Sequence, residues 1–180
     1  MNTDDLDIHL NKSQSIFLIG PMGAGKTTIG RYLAKELQRD FVDTDEEIVS
    51  RTGADLAWIY DVEGDAGFRK REQKMIDELT QRPGIVLATG GGAVLHERNR
   101  TALSSRGFVI YLEVSVDQQV VRTEKDQRRP SLRNQDREQF FSDMQRDRDT
   151  LYESIADLTV STNKKSVRNV AVKLLKMLQG

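Results

Sequence analysis

The residues Gly20 to Thr27, GPMGAGKT, carry the clearest chemistry in the chain. They match the pattern G-x-x-x-x-G-K-[ST], preceded by the apolar run Ile16, Phe17, Leu18, Ile19 and followed by the helix-like stretch TIGRYLAKEL. Glycines there let backbone amides turn inward around phosphate oxygens, and a helix beginning at this point adds its free N–H groups and positive dipole end. Lys26 is placed to reach the outer phosphates of a nucleoside triphosphate, and the Thr27 hydroxyl to ligate Mg²⁺. FVDTD, Phe41 to Asp45, ends a short apolar run with carboxylates at alternate positions. One of Asp43 and Asp45 can hold Mg²⁺, directly or through water, and the other can orient an acceptor hydroxyl and take its proton late in transfer. The competing reading is that Thr44 or Asp45 merely caps the next helix. ATGGGAVL, Ala88 to Leu95, sets Gly90, Gly91 and Gly92 directly after another apolar run. Backbone there must approach something closely, with amides free to donate to a small polyhydroxylated or anionic ligand. Arg69 lies on a helical face that continues through Glu72, Ile76 and Leu79, and Arg148 shares a stripe with Phe141, Met144, Tyr152 and Ile155. Each arginine either snorkels or pairs with a carboxylate, or it points into a pocket and grips an anionic ligand with two hydrogen bonds.

Elements that position these groups follow from the pattern of apolar residues. Strands are expected at Ile16–Gly20, Phe41–Asp43, Ile85–Ala88, Phe108–Leu112 and Leu158–Ser161. Helices are expected near Thr27–Gln38, Asp45–Arg51, Asp55–Tyr60, Ala66–Gln81, Glu97–Leu103, Val116–Thr123, Arg137–Ser154 and Ser166–Leu178. Alternating β and α elements imply an α/β fold with a parallel sheet covered on both faces, and ligands of such sheets bind beyond the carboxyl ends of the strands. At 180 residues the chain reads as a single domain over 15–180, with residues 1–14 a frayed extension. Lys125–Asp136, KDQRRPSLRNQD, has little to bury and four basic residues; it is either a solvated connection or a lid that closes over phosphates.

Composition narrows the classes. Twenty-seven basic and 28 acidic side chains leave a net charge of −1, unlike the one-signed field of a nucleic-acid or membrane-surface binder. The absence of cysteine excludes disulfides, thiolate metal sites and cysteine nucleophiles. No apolar run is long enough for a bilayer, and the acidic N-terminus is no secretory signal, so a cytoplasmic protein is expected.

Taken in order, GPMGAGKTTIGRYLA, FVDTD, EGDAGFRKRE, ATGGGAVL, RTEKDQRRPSL, RDRDTLYESIAD and STNKK make the chain, from about Ser15 to Leu178, resemble the shikimate kinases. The resemblance implies a three-layer P-loop fold akin to the nucleoside monophosphate kinases. Its five-stranded parallel sheet is flanked by helices, with a substrate-binding subdomain over about 44–82 and a lid over about 124–136. It implies transfer of the γ-phosphoryl group of ATP to the 3-hydroxyl of shikimate, with Mg²⁺, in a monomer. Carried onto this sequence, the shikimate contacts are Asp45, Arg69, Gly90, Gly91, Gly92 and Arg148, with Asp45 as general base. ATP falls to Gly23, Ala24, Gly25, Lys26, Thr27, Thr28, Arg122, Arg129 and Lys165, with Arg122 and Lys165 sandwiching adenine. Mg²⁺ falls to Thr27 and Asp43, the latter through water, and Lys26, Asp45 and Arg129 form the catalytic set. Two departures stand out: Lys165 where the family often has arginine, and Ser131 in place of an apolar lid residue. The rivals are another small-molecule kinase, for gluconate or a nucleoside monophosphate, and a GTPase-like switch. The switch is disfavoured because Ser166 stands where an N-K-x-D motif beginning at Asn163 needs aspartate.

Overall fold

The computed structural model describes residues 8–124, 132, 136–163 and 165–179. Five strands, β1 (Ser15–Ile19), β2 (Phe41–Asp43), β3 (Val86–Ala88), β4 (Gly107–Glu113) and β5 (Leu158–Ser161), form one sheet in the order β2-β3-β1-β4-β5. Every pairing is parallel. The helices are α1 (Lys26–Glu36), α2 (Thr44–Thr52), α3 (Leu56–Leu79), α4 (Glu97–Arg106), α5 (Val116–Thr123), α6 (Arg137–Glu153) and α7 (Val167–Gln179), with a 3-10 turn at Ala93–Leu95.

Strand β1 is buried along its whole length, which explains its unbroken apolar sequence. Alternation divides it between two cores. Ile16 and Leu18 pack with Ile29 and Leu33 of α1 and with Val170 and Leu174 of α7. Phe17 and Ile19 face the opposite layer, with Ile76 and Leu79 of α3, Leu103 of α4 and Tyr152 of α6. Register then fixes where the loops emerge. Ala88 lies opposite both Leu18 and Asp43, so the loops after β1, β2 and β3 leave the sheet at one edge.

The break expected at residues 61–65 is present: within α3, Gly64 (φ 69°, ψ −177°) has non-helical geometry and parts the span into two helical segments across a kink. Glycine meets no steric cost at that angle, so the chain bends and resumes the helix. The bidentate pair from Arg71 to Glu63 spans the kink.

Gly20 closes β1 at φ 141°, and a Cβ there would stand 2.4 Å from the Leu112 carbonyl oxygen. The obstacle is the backbone of a central strand and cannot swing away. Gly20→Ala should therefore cost about 3 kcal/mol, seen as a fall in Tm of roughly 10 °C in thermal unfolding. An unchanged Tm would mean that the loop relaxes freely.

Candidate active site

The P-loop joins β1 to α1 through Gly23 (φ 80°) and Gly25 (φ 90°). Gly25 is the N-cap of α1; it has no side-chain hydrogen bond, and no acidic residue occupies the helix's first turn. By contrast α2, α5 and α6 are capped by the side chains of Asp43, Ser115 and Asp136. No side chain caps the start of α1, and an uncapped helix start suits an external anion. Ala24 is buried, and its amide turns back to the Pro21 carbonyl at 3.3 Å. The Lys26 ammonium lies over the same loop, donating to the carbonyls of Gly20 (2.7 Å) and Pro21 (2.8 Å). Gly23, Gly25, Lys26, Thr27 and Thr28 line a cleft that continues to Asp43, Asp45, Gly90 and Gly91.

Asp43 does two jobs. Its Oδ1 accepts from the Asp45 and Glu46 amides and caps α2, while its Oδ2 accepts from Thr27 Oγ1 at 2.7 Å. The cap that the competing reading gave to Thr44 or Asp45 belongs to Asp43. The Thr44 hydroxyl instead accepts from the Gly90 amide at 3.0 Å, tying the β2 loop to the β3 loop. Asp45 is thereby released from capping and faces inward. With Gly90 and Gly91 it lines both the P-loop cleft and a second cavity beside it.

That second cavity measures about 160 Å³ and is walled by Pro21, Met22, Tyr60, Phe68, Arg69, Glu72, the three glycines, Met144, Arg148 and Tyr152. It is smaller than the roughly 300–1,000 Å³ of pockets for drug-sized ligands, so it selects a small one. Arg69 and Arg148 reach it from different helices, α3 and α6. The spacing argument did not give Glu72 a role, although its position three residues after Arg69 is the signal that points to one. Glu72 is 1% exposed and accepts from Arg69 Nη1 at 2.8 Å. Burial raises its pKa above the usual carboxylate range, against the pull of the Arg69 charge. For Arg69, burial works against the charge, but Glu72 outweighs it and the guanidinium proton is held more tightly. Arg69 Nε and Glu72 Oε1 are both buried without a hydrogen-bond partner among the described residues. Arg69 Nε still has an ion contact with Asp65 Oδ1 at 3.4 Å, whereas a buried acceptor such as Glu72 Oε1 left without a partner costs about 1–3 kcal/mol, a cost that a polar ligand in the cavity would relieve.

Tyr152 was legible only as an apolar stripe position. Its hydroxyl donates to the Gly91 carbonyl and pins the glycine loop, and its ring stacks on Tyr111 at 4.9 Å. Burial pushes that hydroxyl's pKa upward, partly offset by Arg148. Across the cavity burial pushes the Tyr60 hydroxyl up to about 12, so it stays protonated at neutral pH.

Gly92 has φ −92°, which any residue adopts, so space rather than backbone freedom demands glycine. A Cβ there would stand 2.2 Å from Arg69 Nη1, the movable end of a long side chain. Gly92→Ala should leave Tm nearly unchanged and displace the guanidinium, raising the acceptor KM about 10- to 100-fold, the worth of a charged hydrogen bond. An equal loss of ATP affinity would contradict this placement.

Arg122 reaches the P-loop cleft with its guanidinium engaged: it donates to the carbonyls of Gly23 (3.0 Å) and Thr162 (2.7 Å). Burial lowers its pKa. Lys165 is exposed on the segment between β5 and α7, two residues before Val167 of the cleft wall. Arg129 and Ser131 lie outside the described residues.

A P-loop at the end of a central parallel strand, opening onto a small arginine-walled cavity across a shared aspartate, defines a P-loop small-molecule kinase. A sequence model described as shikimate kinase matches residues 22–179. The chain is 54% identical over 170 residues to the shikimate kinase of Pasteurella multocida (94% of this chain, 97% of that protein). It is 51% identical over 168 residues to that of Vibrio cholerae serotype O1 (93% and 97%). The solved shikimate kinase from Acinetobacter baumannii, in complex with shikimate, superposes with a TM-score of 0.88 at 47% identity, covering 92% of each chain. The chain belongs to the shikimate kinase family.

Proposed function

We propose that the protein transfers the γ-phosphoryl group of ATP to the 3-hydroxyl of shikimate, giving shikimate 3-phosphate and ADP on the route to chorismate and the aromatic amino acids. One observation carries this reading: Asp45, Gly90 and Gly91 line both cavities, so an acceptor hydroxyl at Asp45 lies next to the phosphate cleft. Arg69 and Arg148 take the acceptor's carboxylate, and the apolar wall of Pro21, Met22 and Phe68 takes its ring. Asp45 orients the hydroxyl and accepts its proton late in transfer. The α1 amides and Lys26 hold the β- and γ-phosphates.

A divalent cation fits the donors present. The Thr27 hydroxyl and the Asp43 carboxylate lie 2.7 Å apart at the cleft, and both are the oxygen ligands that Mg²⁺ prefers. When bound, Mg²⁺ neutralises phosphate charge. Arg129, in the 124–136 segment, is assigned to the transferring phosphate, and that segment to a lid that excludes water. Arg122 and Lys165 flank the adenine; Arg122 brings a guanidinium already fixed by backbone carbonyls. Residues 44–82, which hold α2 and α3, form the acceptor-binding subdomain. In this reading the protein acts as a monomer. A cytoplasmic site of action is part of the same proposal; no helix among the described residues is long and apolar enough to cross a membrane.

A coupled ADP-release assay with shikimate, gluconate and a nucleoside monophosphate as separate acceptors tests the assignment. Release is expected with shikimate alone. Turnover of either competitor without turnover of shikimate would overturn it.

A further inference from the structure

Gln119 is a polar side chain in α5 that is 2% exposed and belongs to neither cavity. Its Nε2 donates to the Met22 carbonyl at 2.8 Å, across 97 residues of sequence. The helix backbone behind it sits close to the P-loop: a Cβ on Gly23 would lie 3.5 Å from Gln119 Cα. Gly23 itself is at φ 80°, a conformation that other residues rarely hold.

The Met22 carbonyl and the Gly23 N–H belong to one peptide unit. The described chain has no cis peptide bonds, and in a trans unit these two groups point in opposite directions. Drawing the carbonyl onto α5 therefore turns the Gly23 N–H away from α5. That N–H has no acceptor among the described residues. The next peptide is held in the same way but with another outcome. Arg122 takes the Gly23 carbonyl, and the Ala24 amide on that unit is spent on Pro21. The two side chains thus clamp adjacent peptides, and only the one held by Gln119 leaves its N–H available.

We propose that Gln119 is a positioning residue for nucleotide binding: by fixing the Met22–Gly23 peptide plane, it aims the Gly23 N–H at a phosphate oxygen. Without its donor, the glycine at position 23 lets the peptide rotate, and binding must then re-order it. The same peptide borders the acceptor cavity through Met22, so Gln119 acts on the boundary between the two substrates. The inference rests on the reading of the P-loop cleft as a nucleotide site.

The test measures ADP affinity by calorimetry for the wild type, Gln119→Met and Gln119→Glu, each with its Tm. Methionine keeps the length and removes the donor, and ADP Kd should rise about tenfold while Tm holds. Glutamate donates only when protonated, so its ADP affinity should recover toward wild type as pH falls from roughly 8.5 to roughly 5.5, a range that a buried carboxyl spans; Gln119→Met should show no such recovery. In the unmutated protein, the ¹H–¹⁵N signal of Gly23 should move downfield as ADP is added, a readout independent of how the variants fold. Wild-type affinity in Gln119→Met, or no pH recovery in Gln119→Glu while Gln119→Met is weakened, overturns the proposal. A Gly23 signal untouched by ADP while other P-loop amides shift overturns it as well. If wild type binds no ADP at all, the nucleotide reading of the cleft fails instead.

Discussion

Lys26→Ala should lower kcat about 10³-fold, the upper end of what one preorganised charge contributes at a transition state. The ammonium has partners in the structure, since it lies on the Gly20 and Pro21 carbonyls. Those carbonyls keep it over the loop, so it needs only a short swing to reach phosphate. Alanine removes the sole P-loop side chain that can follow negative charge onto the migrating group. The loss should fall on kcat more than on the acceptor's KM, because Lys26 lines only the phosphate side. Steady-state kinetics with a matching melting curve checks this. A kcat within a few-fold of wild type, in a folded variant, would place the charge elsewhere.

Asp45→Asn should lower kcat by roughly 10²–10³-fold, within the range of general-base removal. A loose phosphoryl-transfer transition state needs its base late, so much of the loss comes from misplacing the hydroxyl. Asp43 supplies the α2 cap, so the helix start survives the change at position 45. ATP affinity should stay close to wild type. The neighbouring Asp43→Asn should behave differently, because Asp43 faces Thr27 and holds the helix cap. It should show a lower Tm and a higher Mg²⁺ requirement. If Asp45→Asn weakens ATP and spares kcat, the two carboxylates have been interchanged.

Much of the fold was legible because parallel sheets write strong signals. The apolar run of β1 and the Phe41–Asp43 and Leu158–Ser161 strands lie where alternation and turn residues put them. Gly64 was legible as an interruption, and its non-helical backbone (φ 69°, ψ −177°) parts α3 into two segments. The loops of the site were legible for a related reason. Glycine clusters directly after buried strands mark places where backbone must approach a ligand.

What stayed hidden were contacts that depend on two distant elements meeting. The Tyr152 hydroxyl on Gly91 and the Thr44 hydroxyl under Gly90 pair a side chain with a backbone group 61 and 46 residues away. Such pairs leave no periodicity. Glu72 was hidden for another reason: an i, i+3 acid beside an arginine reads as an ordinary surface pair, and only its near-complete burial marks it as part of the cavity wall. Arg122 shows the reverse error of emphasis. Placed beside adenine by resemblance, it is also a structural tie between the P-loop and the segment after β5.

A crystal of the protein grown with ADP and soaked with shikimate tests the central claim most directly. The acid's carboxylate should bridge Arg69 and Arg148, with a ring hydroxyl within hydrogen-bonding distance of Asp45 and facing the phosphates. Shikimate bound away from Asp45 and the Gly90–Gly92 turn, or with its carboxylate turned toward the P-loop, would contradict the account.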